Sequence, residues 1–320
     1  MQSSALSTGP IIREPVASEP GYWAGAPGAY YQEEERAWYL TYRIRRPRGV
    51  APDRGGEARI ARSKDLKTWE DIWSVRKDQF GSASIERCAL RKGLDRYWRY
   101  YASYVDPIDN RWCVSQMIAR EIGSLDPKEA KPLFKAEPLR LEGIKDPWIY
   151  ADAGRFYMLL SVAVPTPKTT AESHSTADIF NTGECVSATG LAVSNDLDNW
   201  EWKGIVFKPD SSGWDRYCRR LNSVVPLGEK LLGFYDGSAG HHENYEEKCG
   251  LALSTNWLDW NPLTLQQPAF TSPNSSKSLR YLDAQIVAEE PYLFFEFARP
   301  DGSHDLRFIK ANLKSLAGVI

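Results

Sequence analysis

Five short stretches of apolar and aromatic residues recur along the chain, each directly after a polar turn. They are "RAWYLTYR" from Arg36, "DRYWRYYAS" from Asp95, "GRFYMLLS" from Gly154, "EKLLGFYD" from Glu229 and "EPYLFFEF" from Glu290. Their starts lie about 60 residues apart, with one longer gap before the fourth. Because aromatic and β-branched residues favour strands, each stretch predicts one strand of a repeated β-unit.

A second motif recurs in step with the first. The stretches "ARIARSKDLKTW", "GLAVSNDLDNW" and "GLALSTNWLDW" end at Trp69, Trp200 and Trp260, and each reads as a strand followed by a Ser-x-Asp-Leu-x-x-Trp turn or a variant of it. The long gap contains the polar segment Thr166–Glu184, which predicts an inserted loop. Two elements that keep the same spacing indicate five copies of one unit.

Five units of three or four antiparallel strands, with little helical periodicity, predict an all-β five-bladed β-propeller. Radial repetition protects the sheet edges and leaves a central channel lined by the innermost strand of each blade. We expect residues 1–21 to form a Pro/Gly-rich lead-in segment. We expect residues 22–320 to form a single catalytic propeller domain.

The innermost strand of each unit is predicted to precede its aromatic stretch. Counting back a similar distance from each aromatic stretch gives one residue per unit: Ala26, Glu86, Asp146, Asn222 and Asp283. Three of the five are acids. A ring of acids at the mouth of one channel predicts a carboxylate-based active site, with Glu86 and Asp146 as the catalytic pair in adjacent units and Asp283 as a third acid.

Composition narrows the function classes. The 320 residues carry 40 basic and 42 acidic side chains, a formal net charge of −2, which disfavours nucleic-acid and acidic-membrane partners. Twelve Trp and 16 Tyr supply faces on which sugars stack. The five cysteines contain no CxxC pair, so neither a zinc site nor a disulfide framework is predicted. With no signal peptide or apolar span visible, we expect a cytoplasmic protein without metal or cofactor.

The repeat, the acids of the inner strands and the "KDPWIY" stretch resemble the furanosidase and fructosidase superfamily of five-bladed propellers, including glycoside hydrolase families 32, 43, 117 and 130. The likeness runs from about Tyr22 to Lys310. The stretch "YLTYRIRRPRG…EARIARSKDL" is most similar to the first blade of family 130. The resemblance implies glycosidic bond cleavage, with a carbohydrate as the partner; the exact family and the oligomeric state stay open.

The chain departs from those families at two positions. Gly25, Ala26 and Pro27 stand where families 32 and 43 carry Asp-Pro, and Arg87 stands where family 130 has an aspartate after the glutamate. Glycosidic cleavage needs a proton donor and a second carboxylate. The residues therefore leave three alternatives: a hydrolase of a furanoside or short oligosaccharide, a phosphate-dependent phosphorylase, and a non-catalytic carbohydrate-binding propeller.

Further residues are predicted to bind substrate. Tryptophans near the inner strands stack on sugar rings, arginine forks bind carboxylates or phosphates, and the polar loop after the fourth aromatic stretch supplies an acid and a histidine. The predicted substrate-binding residues are Trp23, Arg43, Arg87, Trp148, Asn222, Asp236 and His241.

Overall fold

The computed structural model describes residues 6–311, and strands dominate it. The strands are β1 (Ile11–Arg13), β2 (Trp23–Gln32), β3 (Ala37–Arg46), β4 (Arg54–Ser63), β5 (Glu70–Arg76), β6 (Ala89–Lys92), β7 (Trp98–Val105), β8 (Trp112–Ala119), β9 (Lys131–Phe134), β10 (Gly143–Asp152), β11 (Arg155–Pro165), β12 (Cys185–Ser194), β13 (Glu201–Phe207), β14 (Cys218–Leu227), β15 (Lys230–Ser238), β16 (Lys248–Ser254), β17 (Asn261–Pro262), β18 (Leu279–Val287), β19 (Glu290–Ala298) and β20 (His304–Lys310).

Short 3₁₀-helices lie in the connections of the described residues. They span Lys77–Phe80, Ile122–Ser124, Pro127–Glu129, Glu137–Leu139, Ala171–His174, Ile179–Asn181 and His241–Glu243. The predicted all-β class is therefore confirmed. No helix among residues 6–311 has the length and hydropathy needed to cross a membrane.

The strands form five antiparallel units of four. Units 1 to 4 are β2–β5, β6–β9, β10–β13 and β14–β17. Unit 5 consists of β18, β19 and β20, and β1 from near the N-terminus pairs antiparallel with β20 as its fourth strand. The two ends of the described chain are thus joined in one sheet.

The five units close into a ring. The first strand of each unit contacts the first strand of the next, and β18 contacts β2. One apolar cluster fills each interface between neighbouring units; between units 1 and 2, for example, Tyr39 and Ile60 pack with Leu90 and Tyr100. Four further clusters lie between units 2 and 3, 3 and 4, 4 and 5, and 5 and 1, and a sixth packs the inserted loop against units 2 and 3. Burial of apolar surface between units therefore holds the ring together.

A β-bulge interrupts the first strands at one level of the ring. The pairing register shifts between Gly25 and Gly28, between Lys145 and Trp148, between Leu221 and Ser223, and between Arg280 and Asp283. The first bulge residues Ala26, Asp146 and Tyr281 have φ of 52°, 56° and 51°. Bulges are frequent beside active sites because they re-aim side chains.

The repeated turn motif makes its own hydrogen bonds. After β12, Ser194 Oγ accepts from the backbone N–H of Leu197, Asp196 Oδ1 accepts from the N–H groups of Asp198 and Asn199, and Trp200 Nε1 donates to the Leu197 carbonyl. The same pattern recurs at Ser63–Trp69 and Ser254–Trp260. The predicted turns between third and fourth strands are therefore confirmed.

The inserted loop lies where the sequence predicts it. Residues 166–184 connect β11 to β12 and contain two short 3₁₀-helices. All five cysteines lie in the described part of the chain and are buried thiols without disulfides. The division into segments 1–21 and 22–320 stays a prediction, and residues 1–5 and 312–320 lie outside the described residues.

Candidate active site

Tyr281, the bulge residue of unit 5, joins acids from three other units. Its hydroxyl donates a hydrogen bond to Glu86 Oε2 at 3.1 Å, and its backbone N–H donates to Asp236 Oδ1 at 3.0 Å. Burial and the negative charges of Asp146 and Glu86 raise the pKa of Tyr281 well above its ordinary value. Tyr281 is therefore a neutral phenol that donates to the acids around it.

Glu86 is held as a carboxylate. It lies in the connection before β6, is buried, and has its Oε2 2.8 Å from Arg43 Nε. Burial acts to raise the pKa of Glu86, but the charges of Arg43, Lys145 and Arg280 outweigh it and lower that pKa to about 2. At neutral pH Glu86 therefore stays ionised.

Asp146 presents one unengaged carboxylate oxygen. Its N–H donates to Ser103 Oγ at 3.2 Å, and its Oδ1 accepts from the backbone N–H of Arg87 at 3.3 Å. Its Oδ2 is buried, receives no hydrogen bond from the described residues, and lies 3.6 Å from Lys145 Nζ. A buried carboxylate oxygen without a donor is costly unless a ligand completes it.

Asp236 differs from Glu86 in its protonation. It is fully buried on β15, and its Oδ2 receives no hydrogen bond, since the nearest Arg220 nitrogen is 4.0 Å away. Burial, reinforced by the charge of Glu247, outweighs Arg220 and raises the pKa of Asp236 to about 7. Asp236 can therefore hold a proton near neutral pH. The prediction placed it in a loop, but the strand β15 extends to Ser238.

Buried arginines connect these acids. Arg220 and Arg280 both pair with Glu247, and Arg280 Nη2 also lies 2.8 Å from Glu296 Oε1. We call this set, together with Asp146, whose charge acts on Tyr281, the charged cluster; it consists of Arg43, Glu86, Asp146, Arg220, Asp236, Glu247, Arg280, Tyr281 and Glu296. Units 1 to 5 each contribute at least one member.

Glu296 fills the space beside the first-strand bulge of unit 1. Its Oε2 accepts a hydrogen bond from the Ala26 N–H at 3.0 Å, and a Cβ on Gly25 would lie 1.9 Å from the same oxygen. Burial acts to raise the pKa of Glu296, but Arg280 and the hydrogen bond with His304 hold it well below the ordinary range. A carboxylate from unit 5 thus occupies the space beside "GAPG" that a side chain of unit 1 would need.

Asp283 does not share the position of Asp146. The pairing registers place Tyr281 in the bulge position of Asp146, and Asp283 in the position of Trp148 two residues later. Its carboxylate is fully engaged, with Ala29 N at 2.7 Å, Trp148 Nε1 at 2.9 Å and Arg87 Nη2 at 3.0 Å. The predicted alignment was wrong by two residues because counting from the aromatic stretches ignored the exact start of the hairpin.

Arg87 spans the ring instead of lining the charged cluster. Its Nε donates to the Pro27 carbonyl and its Nη1 to the Asn222 carbonyl, both at 2.7 Å, while Nη2 pairs with Asp283. One side chain from unit 2 thereby braces units 1, 4 and 5. Asn222 serves this brace through its backbone, and its Nδ2 has no acceptor among the described residues.

Trp148 lies beyond this brace. It lines a cavity of about 340 Å³ that also contains Tyr30, Tyr31, Arg91 and Tyr150. All five first strands contribute residues after the bulge level to this aromatic cavity. Arg87 and Asp283 therefore separate the charged cluster from the aromatic cavity, and Trp148 belongs to the latter.

Trp23 and His241 complete the predicted set. Trp23 is buried and stacks on His304 at a ring-centroid distance of 4.6 Å, beside the charged cluster. His241 is exposed in a 3₁₀-helix, where its ring neighbours are Tyr217 at 6.3 Å and His242 at 6.1 Å. Among residues 6–311 no group of His, Cys, Asp and Glu side chains could hold a metal ion.

Two loops cover the cluster. Tyr245, in the connection after β15, packs against Arg45 and donates its hydroxyl to Asp178 of the inserted loop. Asp178 also accepts from Trp112 Nε1 at 3.2 Å and lies 3.7 Å from both Arg48 and Arg54. The inserted loop is thus anchored directly above unit 1.

Known proteins resemble this chain in structure and not in sequence. No protein-family model matches the sequence, and no curated protein matches it. Solved structures do match the fold of this chain. A thermostable family-43 glycoside hydrolase matches with a TM-score of 0.62 at 14% identity, covering 90% of this chain and 89% of that one.

Two further structures give the same result. The endo-arabinase of Bacteroides thetaiotaomicron VPI-5482 has a TM-score of 0.59 at 14% identity, over 93% of this chain and 96% of that chain. The α-L-arabinofuranosidase of Lactobacillus brevis has a TM-score of 0.61 at 14% identity, over 97% and 94%. This chain has the fold of the propeller glycosidase structures.

Proposed function

We propose that this protein is a glycoside hydrolase and that its five units are the blades of a five-bladed propeller. The closed ring of first strands supports the blade count. The observation that carries the activity is a pair of buried acids, Asp146 and Asp236, whose Oδ2 atoms accept no hydrogen bond from the described residues. Burial raises the pKa of Asp236 to about 7, so Asp236 can supply a proton near neutral pH.

In the proposed reaction Asp236 donates its proton to the leaving glycosidic oxygen as the C–O bond breaks. Asp146 Oδ2 then either attacks the anomeric carbon or takes a proton from the attacking water. The sequence predicted Glu86 as the partner of Asp146. We assign Glu86 a positioning role instead, because Arg43 and Tyr281 already occupy its Oε2. Arabinofuranoside-acting neighbours support a furanoside as substrate.

Substrate must pass the loops above the cluster. Tyr245 and Asp178 close the space over Arg45, and the acids below are buried. We expect Tyr245→Phe, which keeps the ring and removes the hydrogen bond to Asp178, to lower KM by easing entry. An unchanged or raised KM would argue for another route.

The test is hydrolysis of a panel of aryl α- and β-glycosides, both furanosides and pyranosides, with short arabino- and xylo-oligosaccharides. Asp146→Asn and Asp236→Asn should each lower kcat by about 100-fold or more. Asp152→Asn is the matched control, since Asp152 lies on the same strand β10 but is exposed. Thermal unfolding of each variant verifies folding. Full activity in both folded site variants would refute the assignment, and sugar binding without cleavage in the wild type would indicate a binding protein.

A further inference from the structure

Arg45 carries a buried charge that forms no ion pair with an acid of residues 6–311. Its exposed fraction is 6%, and its guanidinium lies 4.0 Å from the Trp23 ring centroid and 4.6 Å from that of Tyr245. Its one hydrogen bond among the described residues runs from Nη1 to the Gly21 carbonyl at 3.3 Å, and no carboxylate of residues 6–311 lies within 4.0 Å. The other buried arginines near it, Arg43, Arg220 and Arg280, each have acidic partners.

Two more donors beside Arg45 lack acceptors. Trp23 pairs directly with Arg45 across β2 and β3, and its indole Nε1 is buried without an acceptor in the described part of the chain. Arg43 lies two residues before Arg45 on β3, so its side chain leaves the same face of the strand, and its Nη1 is likewise buried without an acceptor. Leaving buried donors unpaired costs free energy for each group.

The environment of Arg45 reinforces this point. Burial and the neighbouring positive charge of Arg43 lower the pKa of Arg45 from its ordinary value, whereas the pKa of the acid-paired Arg280 is raised. The side chain therefore gains from any negative group that reaches it. Tyr245 on its other face and His304 stacked on Trp23 fix the donors in place.

We propose that Trp23, Arg43 and Arg45 form a subsite for an oxyanion, supplied by the carboxylate of a sugar acid or by inorganic phosphate. Both present oxygens to the same buried donors, and a planar carboxylate also matches the fork of a guanidinium. The subsite borders Glu86 through Arg43, so its ligand sits next to the acids. The inference rests on the proposed function and deepens it by making the substrate of the hydrolase acidic; phosphate as the ligand would instead indicate transfer of the glycosyl group to phosphate.

Binding is tested separately from turnover. Isothermal titration with galacturonate, galactose and inorganic phosphate is performed on the Asp146→Asn protein and on the same protein carrying Arg45→Gln or Arg46→Gln. Arg46 is the matched control because it is the next residue on β3 and bonds only the exposed Ala51 carbonyl. The expected result is that Arg45→Gln weakens oxyanion binding at least about tenfold, as loss of a charged hydrogen bond implies, while Arg46→Gln does not.

The ligand that binds shows whether the oxyanion comes from a sugar acid or from inorganic phosphate. Galacturonate binding with weak galactose binding indicates an acidic sugar, and phosphate binding alone indicates a phosphorolytic acceptor. Arg45→Lys, which retains the charge, should keep part of the affinity and guards against misfolding of Arg45→Gln. Equal binding of galactose and galacturonate, no binding of either oxyanion, or equal losses in Arg45→Gln and Arg46→Gln would each overturn the subsite. Loss of hydrolysis with intact Arg45-dependent binding would refute the proposed function alone.

Discussion

The two ends of the ring differ in how their buried polar atoms are hydrogen bonded. Beyond the bulges, the aromatic cavity is open, about 340 Å³ in volume, and lined by Tyr30, Tyr31, Trp148 and Tyr150. At the bulge level, the charged cluster is buried and contains donors and acceptors without partners. Between them the Asp283 carboxylate accepts hydrogen bonds from several donors. Buried polar groups are usually hydrogen bonded, so the concentration of unpaired donors and acceptors in the charged cluster favours it as the place for a ligand.

Substitution of Arg87 and substitution of Arg45 should differ most in their effect on the stability of the protein. Arg87→Met leaves the Asp283 carboxylate and two carbonyl acceptors buried without their partner. We expect a loss of about 3–5 kcal/mol in the free energy of unfolding. Arg45→Met removes a charge that has no acidic partner, so we expect a loss of about 1 kcal/mol or less. Urea unfolding of both variants measures the difference. Equal losses would mean that Arg45 is as structural as Arg87.

Two donors to buried carboxylates provide a finer comparison. Trp148→Phe removes the hydrogen bond to Asp283 Oδ1, and Tyr281→Phe removes the one to Glu86 Oε2. Each should cost about 2 kcal/mol in unfolding free energy, because the acceptor is charged. Trp148→Phe should keep kcat within about twofold, whereas Tyr281→Phe should lower it about tenfold and shift the acidic limb of the pH profile.

The opposite pattern of activities would place the working site at the aromatic cavity. Equal stability losses with unchanged kcat in Tyr281→Phe would limit its hydroxyl to a structural role. The stability readout also verifies that both substitutions act on a folded protein.

The sequence was sufficient to predict the repeat architecture, because spacing and turn chemistry are local. The Ser-x-Asp-Leu-x-x-Trp turns bond within themselves, so their residues had to recur together. The placement of Asp146 could also be predicted, since "KDPWIY" precedes its strand directly. Asp283 was misplaced because a two-residue error along a strand is invisible in a count of residues, although it moves the side chain from the charged cluster into the brace with Arg87.

The partners of the site were harder to predict, because they come from strands that are distant in sequence. Glu296 and Asp236 lie at corresponding positions of the second strands, opposite Arg280 and Arg220. A single acid inside "LFFEF" or "GFYDG" was a visible signal of a buried functional group, because an unpaired charge is rarely buried. No local sequence pattern predicts that Arg45 forms no ion pair with the described residues, because this depends on side chains from every neighbouring unit.

The last prediction concerns the pH dependence of stability. Asp236 has a folded-state pKa of about 7, well above the ordinary value of about 3.9 for an unfolded chain. Between these values the folded protein holds a proton that the unfolded chain has released, so the free energy of unfolding should fall as pH rises from about 4 to 7. The slope is at most about 1.4 kcal/mol per pH unit. Glu86, with its pKa near 2, contributes stability that is lost only as pH falls below about 4.

Asp236→Asn should therefore flatten the curve between pH 4.5 and 7.5, as measured by urea unfolding at one-unit intervals. The exposed Asp152→Asn should leave the slope unchanged. In the wild type, kcat/KM should also decline above pH 7 as the proton donor ionises, with a tenfold loss per unit at the limit. If the slope persists in Asp236→Asn, another group binds that proton. The charged cluster would then still differ from the aromatic cavity in its free donors, but Asp236 would lose its assignment as the acid.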